Sequence, residues 1–184
     1  MPDERVRLFV ALELPEAVRR ALVGWRDRAL AHVPGLRPLG ADSLHVTLCF
    51  LGWREAREIE AISEACAELS GRPAPRLALG AARWLPKRRP RVLAVELVDP
   101  ARSLASTQSA LSARLAAGGW YRPEQRPYLA HVTLARVGRG ARAPRELPAL
   151  PALEFEASEV ALFRSRLSRD GARYEQLHRV RLAC

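Results

Sequence analysis

The chain has 184 residues, 48% of them hydrophobic, which is enough for one sizeable core. Thirty Lys and Arg against 20 acids give a net charge of +10, and Lys87 is the only lysine. No apolar run approaches a membrane span, no signal-peptide core follows the charged start, and the three cysteines (Cys49, Cys66, Cys184) cannot all pair. A cytoplasmic protein with neither a membrane span nor a disulfide framework is expected.

The surplus of cations points to a phosphate-rich partner, nucleic acid first. A GC-rich codon bias explains Arg over Lys, but it does not explain the excess over acids.

In chain order, residues 7–13 read as a buried strand. A helix over about 16–33 carries Leu22, Trp25, Ala29 and Val33 on one side, and Pro34-Gly35 ends it. Residues 44–50 form a strand. A charged helix over 54–70 buries Ile59, Ile62, Cys66 and Leu69. A strand at 76–84 leads to the basic turn Lys87-Arg88-Arg89-Pro90-Arg91, which is either a solvated hairpin loop or a phosphate-steering patch. A strand at 91–98 precedes a helix at 100–117 with Leu104, Leu111 and Leu115 inward. Residues 129–136 form another strand, and 139–152 read as loop with Arg139, Arg142 and Arg145. Two strands follow near 153–166 and 173–182, joined by a turn around Arg169-Asp170-Gly171.

One tetrapeptide occurs twice in this series, as His45-Val46-Thr47-Leu48 and His131-Val132-Thr133-Leu134. Gly52 and Gly138 each lie seven residues after the histidine. The strand before each copy also repeats, from Arg7 and from Arg91, so the period is 84 to 86 residues. That period is too long for a solenoid unit and fits two related lobes in one body. The expected fold is α+β: a single bilobal domain over 1–184, with an internal repeat over roughly 7–86 and 91–182. Alternation along a strand puts His45 and Thr47 on one face, as it does His131 and Thr133. Related lobes bring the two His/Thr pairs face to face around a central cleft.

Two imidazoles across a cleft suit paired acid–base work, since one ring can be neutral while the other is protonated. Phosphodiester cleavage needs both roles, and the threonine hydroxyls can bond the non-bridging oxygens. No acidic or Cys/His cluster accompanies either motif, so neither metal nor cofactor is expected. Two other readings stand beside this one. Both histidines can be hydrogen-bonded core residues of duplicated strands. Cys49 shares parity with His45, so His45, Cys49 and His131 form a conceivable zinc set, though without the spacing of a zinc motif. Cysteine nucleophilic catalysis through Cys49 lacks an elbow or oxyanion motif. His32 and His178 read as structural.

The sequence resembles the 2H phosphoesterases, defined by two His-x-Thr-x motifs. Within them it is similar to the RNA 2′,3′-cyclic phosphodiesterases, also called 2′-5′ RNA ligases. The stretches Arg7-Leu-Phe-Val-Ala-Leu12, Leu44-His-Val-Thr-Leu-Cys-Phe-Leu-Gly52, Arg89-Pro-Arg-Val-Leu93, His131-Val-Thr-Leu-Ala-Arg136 and Leu162-Phe-Arg-Ser-Arg-Leu167 carry the likeness. It implies a pseudo-two-fold axis through a cleft lined by both motifs. It implies opening of a 2′,3′-cyclic phosphate on an RNA end or nucleotide to a 2′-phosphate, and 2′-5′ ligation as the reversed use of the same groups; a monomer is expected, although the sequence says little about oligomeric state. It assigns His45 as proton donor, His131 as proton acceptor, and Thr47, Thr133 and Arg136 as phosphate contacts. Strand parity sets Arg136 on the face opposite His131 unless the strand ends or bulges there. Ala130 stands where this branch often has proline, and the approach to the first motif lacks an aromatic often found there. The competing functional class is a non-catalytic RNA- or nucleotide-binding module on the same scaffold.

Overall fold

A computed structural model describes residues 4–144, 146–168 and 171–183. Arg145, part of the expected turn at 169–171, and Cys184 lie outside the described residues. Val6 and the run Leu8 to Leu12 are buried and form β1 (Arg5–Glu13). There follow α1 (Glu16–Leu30), β2 (Leu36–Pro38), β3 (His45–Glu55), α2 (Ile59–Ala67), β4 (Arg76–Leu85) and β5 (Val92–Val98). The chain continues with α3 (Ser103–Ala117), β6 (His131–Val137), β7 (Glu154–Glu156), β8 (Glu159–Ser168) and β9 (Gly171–Arg181).

Helix boundaries move where local bonds compete. The helix expected from residue 54 begins at Ile59, because β3 runs on to Glu55 in register with Arg5 of β1. Glu55 and Glu58 then form a capping box over a single 3₁₀ turn. The helix expected from residue 100 begins at Ser103. There the Asp99 carboxylate accepts the backbone N–H groups of Ser103 (3.1 Å) and Ala105 (3.0 Å). The long segment 139–152 is loop among its described residues. It is laid down by two indoles, with Trp25 Nε1 donating to Ala149 O (3.0 Å) and Trp84 Nε1 to Pro144 O (2.9 Å).

The strands pair antiparallel in one sheet of order β7-β4-β5-β6-β3-β1-β8-β9, with β2 paired to β6. The two motif strands, β6 and β3, are neighbours at its middle, and four strands lie in each half. The halves do not follow the repeats. β4, which comes after the first motif, pairs with β5 of the second copy, and β8, which comes after the second motif, pairs with β1 of the first. The first copy thus passes β2 and β4 to the other's half, and the second passes β8 and β9.

The single strand expected over 153–166 is two strands on opposite flanks of the sheet, separated only by Ala157 and Ser158. Two residues span about 7 Å at most, so the sheet must curl until its ends approach. Hydrogen bonds at the seam show this closure: Ala157 N to Pro75 O (3.2 Å), Leu182 N to Ser158 O (2.8 Å) and Ala74 N to Ala183 O (2.7 Å).

The helices line the same side as Val46, Leu48, Val132 and Leu134, all buried in one core with Leu22, Trp25, Leu104 and Leu111. The helix of one copy packs against the motif strand of the other, α1 on β6 and α3 on β3. Leu134 is fully buried where these layers meet. Leu134→Ala is expected to lower the unfolding free energy by about 2–5 kcal/mol, measured by urea denaturation.

Candidate active site

β3 and β6 are joined through one residue pair, Val46↔Val132. Both valines point into the core with no exposed surface. Continuing that register by one residue each way sets His45 opposite Thr133 and Thr47 opposite His131. The histidines then sit on a diagonal, where side chains stand about 7–8 Å apart, room for one phosphate between two imidazoles. Both pairs line one cleft of about 190 Å³.

Each motif strand then bulges at the same residue. Along β3, Thr47 pairs with Ala11 and Cys49 with Val10, so Leu48 is the extra residue. Along β6, Thr133 pairs with Ala94 and Ala135 with Leu93, so Leu134 is extra. A bulge shifts the alternation by one. Cys49 and Ala135 therefore turn inward and are 1% and 0% exposed. Phe50 and Arg136, one residue further on, return to the cleft side and line it.

This overturns the parity argument for Cys49. It lies in the core, on the other side from His45, and burial pushes its thiol up to about 12. Neither the zinc set His45, Cys49 and His131 nor a thiolate nucleophile is assembled. The matching bulge at Leu134 removes the conflict over Arg136, which reaches the cleft that strict alternation denied it.

The two imidazoles are held alike. His45 Nδ1 lies 2.9 Å from Ser43 O, and His131 Nδ1 lies 2.8 Å from Leu129 O, in each case the carbonyl two residues before. A carbonyl can only accept, so each Nδ1 carries a proton and Nε2 is left for chemistry. His45 Nε2 is 3.2 Å from Thr47 Oγ1.

Their surroundings differ. Phe9 stacks on His45 with centroids 4.9 Å apart, and Tyr174 meets it edge-on at 5.3 Å. Phe163 backs Phe9 at 5.2 Å. Among the described residues no such ring contact forms on His131. This burial holds the His45 imidazole down to about 4, with His131 adding to the effect and the Ser43 carbonyl opposing it. The cleft lining holds Arg7, Arg136 and both histidines, and no carboxylate is among its described residues. The Arg7 guanidinium lies 4.8 Å from the Phe50 ring centre.

Known proteins are similar to this chain in sequence and in fold. The sequence model described as the 2′-5′ RNA ligase superfamily matches residues 14–169. The chain belongs to the 2′-5′ RNA ligase superfamily. It is 33% identical over 181 residues to the RNA 2′,3′-cyclic phosphodiesterase of Escherichia coli K12, covering 96% of this chain and 97% of that one. It is 34% identical over 186 residues to the protein of the same name from Thermus thermophilus, covering 96% and 90%. The crystal structure of E. coli LigT complexed with 3′-AMP superposes with a TM-score of 0.81 at 31% identity, over 98% of this chain and all of that one.

Of the residues expected from sequence, His45, Thr47, His131, Thr133 and Arg136 come together in the cleft. The two basic stretches lie in different places. Lys87 and Arg91 line a second groove beside the cleft, while Arg139 and Arg142 line neither. His32 is exposed after α1, and His178 is partly buried in β9. Sequence reasoning passed over Arg7, Phe9, Phe50, Ser165 and Tyr174. Arg7, Phe9, Phe50 and Ser165 lie within stretches quoted for the family likeness, and the orientation of Phe50 depends on the bulge at Leu48. Ser165 is 6% exposed, lines the cleft, and its hydroxyl has no hydrogen-bond partner among the described residues.

The buried His45 has a consequence for stability. The unfolded chain protonates this residue near pH 6.5, the folded chain only near pH 4. Its contribution is intact above pH 6.5 and is lost as pH falls toward 4, by up to about 3 kcal/mol. Urea unfolding across this range should show a smaller loss in His45→Gln. An NMR titration should place the His45 midpoint near 4 and move it upward when sulfate occupies the cleft.

Proposed function

We propose that the protein is a metal-independent RNA 2′,3′-cyclic phosphodiesterase that opens a terminal cyclic phosphate to a 2′-phosphate. The observation that carries this is the pair of imidazoles, each fixed by its Nδ1 and each presenting Nε2, on either side of a cleft lined with cations. Relatives at 33% and 34% identity bear that name. One chain supplies both motifs, so the monomer is a complete unit.

The phosphate sits between the motifs, its non-bridging oxygens bonded by Thr47, Thr133 and the Arg136 guanidinium. The spare hydroxyl of Ser165 is a further donor in the same cleft. His131 Nε2 takes a proton from water as the water oxygen bonds to phosphorus. The bond from phosphorus to O3′ breaks, and His45 Nε2 gives its proton to that oxygen. The products are a 2′-phosphate and a 3′-hydroxyl, and one proton has moved from His131 to His45 through solvent before the next cycle.

The low protonation of His45 bears on this assignment. In the empty cleft its ring is neutral at neutral pH. An anionic phosphate beside it favours the imidazolium, so the acid is loaded as substrate binds. Phe50 is 48% exposed at the cleft edge with Arg7 behind it, a surface suited to stacking a nucleobase. Ligation of a cyclic phosphate to a 5′-hydroxyl is the reverse use of the same two groups.

Hydrolysis of a 2′,3′-cyclic nucleotide should continue in excess chelator; activity abolished there and restored by zinc would defeat the metal-free mechanism. Thr47→Ala and Thr133→Ala should lower kcat more than they raise KM. A substrate with an activated leaving group needs little protonation. On it His45→Ala should regain much of its lost rate while His131→Ala stays impaired. The reverse pattern would exchange the roles, and full activity in both variants would defeat the two-histidine mechanism.

A further inference from the structure

The sheet splits on both sides of the Val46–Val132 pair, and the two splits are closed differently. Toward the end of β6, β2 fills the gap, pairing Leu36, Arg37 and Pro38 with Val137, Arg136 and Ala135. Leu39 N adds a bond to Leu134 O (2.9 Å). Toward the end of β3 no strand among the described residues takes that place. The bared carbonyls are met by side chains instead, Thr47 O by the Tyr128 hydroxyl (3.1 Å) and Leu48 O by Gln108 Nε2 (3.3 Å). Between β3 and the segment leading into His131 the molecule therefore stays open, as a groove of about 880 Å³.

This groove is continuous with the cleft, since Thr47, Phe50, Val92 and His131 line both. The cleft at about 190 Å³ falls below the range of about 300–1,000 Å³ common for pockets that enclose a small ligand, and the groove falls within it. Its walls combine aromatic faces with cations: Phe50 and Tyr121 on one hand, Lys87, Arg91 and Arg126 on the other. Glu124, also in the wall, pairs with Arg126 at 2.5 Å and cancels its charge. Among the described residues no acid pairs with Lys87 or Arg91, which remain to meet an anion.

We infer that this groove is a subsite for the RNA chain on the 5′ side of the terminal nucleotide, with Lys87 and Arg91 holding an internucleotide phosphate and Tyr121 offering a face for a base. The inference rests on the proposed phosphodiesterase reading and adds to it that the enzyme is built for oligonucleotide ends and not for cyclic mononucleotides. A polymer tethered at its terminal phosphate in the cleft gains contacts in the groove that a mononucleotide lacks.

The test compares kcat/KM for a tetranucleotide ending in a 2′,3′-cyclic phosphate with that for a 2′,3′-cyclic mononucleotide, in the wild type and in the Lys87→Gln/Arg91→Gln double variant. The wild type should favour the tetranucleotide by about tenfold or more. The double variant should lose most of that preference and keep its rate on the mononucleotide. Its salt slope on the tetranucleotide should shrink by about 0.7 for each cation removed. Equal wild-type efficiency on the two substrates would overturn the subsite and leave the phosphodiesterase reading standing. So would a preference untouched by the double substitution, or an equal loss on both substrates. Hydrolysis of neither substrate by the wild type would remove both readings.

Discussion

Val46 and Val132 form the one cross-strand pair between the motif strands, and both are sealed in the core. The contact is apolar and small, but it fixes register. A slip of one residue by either strand would turn its histidine into the core and its valine into the cleft. Because the strands are antiparallel, each histidine comes opposite the other motif's threonine, and the diagonal between the imidazoles follows from strand geometry. The strands part on either side of this pair, and that parting makes the site concave. The core beneath holds the pair in place from both directions, since each motif strand rests on the helix of the other copy.

The matched bulges at Leu48 and Leu134 do a second job. A regular strand offers the cleft every other residue, which would add Cys49 and Ala135 to the cleft face. The bulges bury these two and bring Phe50 and Arg136 round instead. Equivalent positions thus carry an aromatic ring in one half and a guanidinium in the other. The aromatic wall on His45 adds to the asymmetry, so two identical tetrapeptides carry imidazoles in unlike surroundings, one of them stripped of proton affinity by burial. That difference comes from neighbours outside the repeated motif.

Much of this was legible in the sequence. The repeated tetrapeptide gave the histidine pair, strand alternation gave the shared face of His45 and Thr47, and helical spacing gave the buried Leu104, Leu111 and Leu115. What stayed hidden depended on contacts far apart in the chain. A bulge is decided by the partner strand, so strict alternation puts Cys49 on the wrong side and Arg136 in doubt. The segment 153–166 reads as one strand because only sheet closure breaks it at Ala157. The three residues of β2 lie between loops and carry no periodic signal. Ser165 looks like any strand serine until its hydroxyl is found unpartnered beside the cleft. The glycines that mark the repeat also diverge. Gly52 adopts a φ of +70° next to the second register shift of β3, whereas Gly138 packs so closely on the Gly35 carbonyl that a Cβ would come within 2.4 Å of it.

The exchange of strands between the halves bears on how such a chain can arise. β8 and β9 complete the half that begins with β1, although the whole second motif intervenes, and β4 leaves the first copy to complete the second. A lone copy of the repeat would keep its last strand but lose the neighbour that strand pairs with, leaving open edges on both. Two separate copies would satisfy each other by trading that strand, as in a swapped dimer with one imidazole from each subunit. Joining them end to end turns that intermolecular trade into an intramolecular one. It also frees the two copies to differ in sequence.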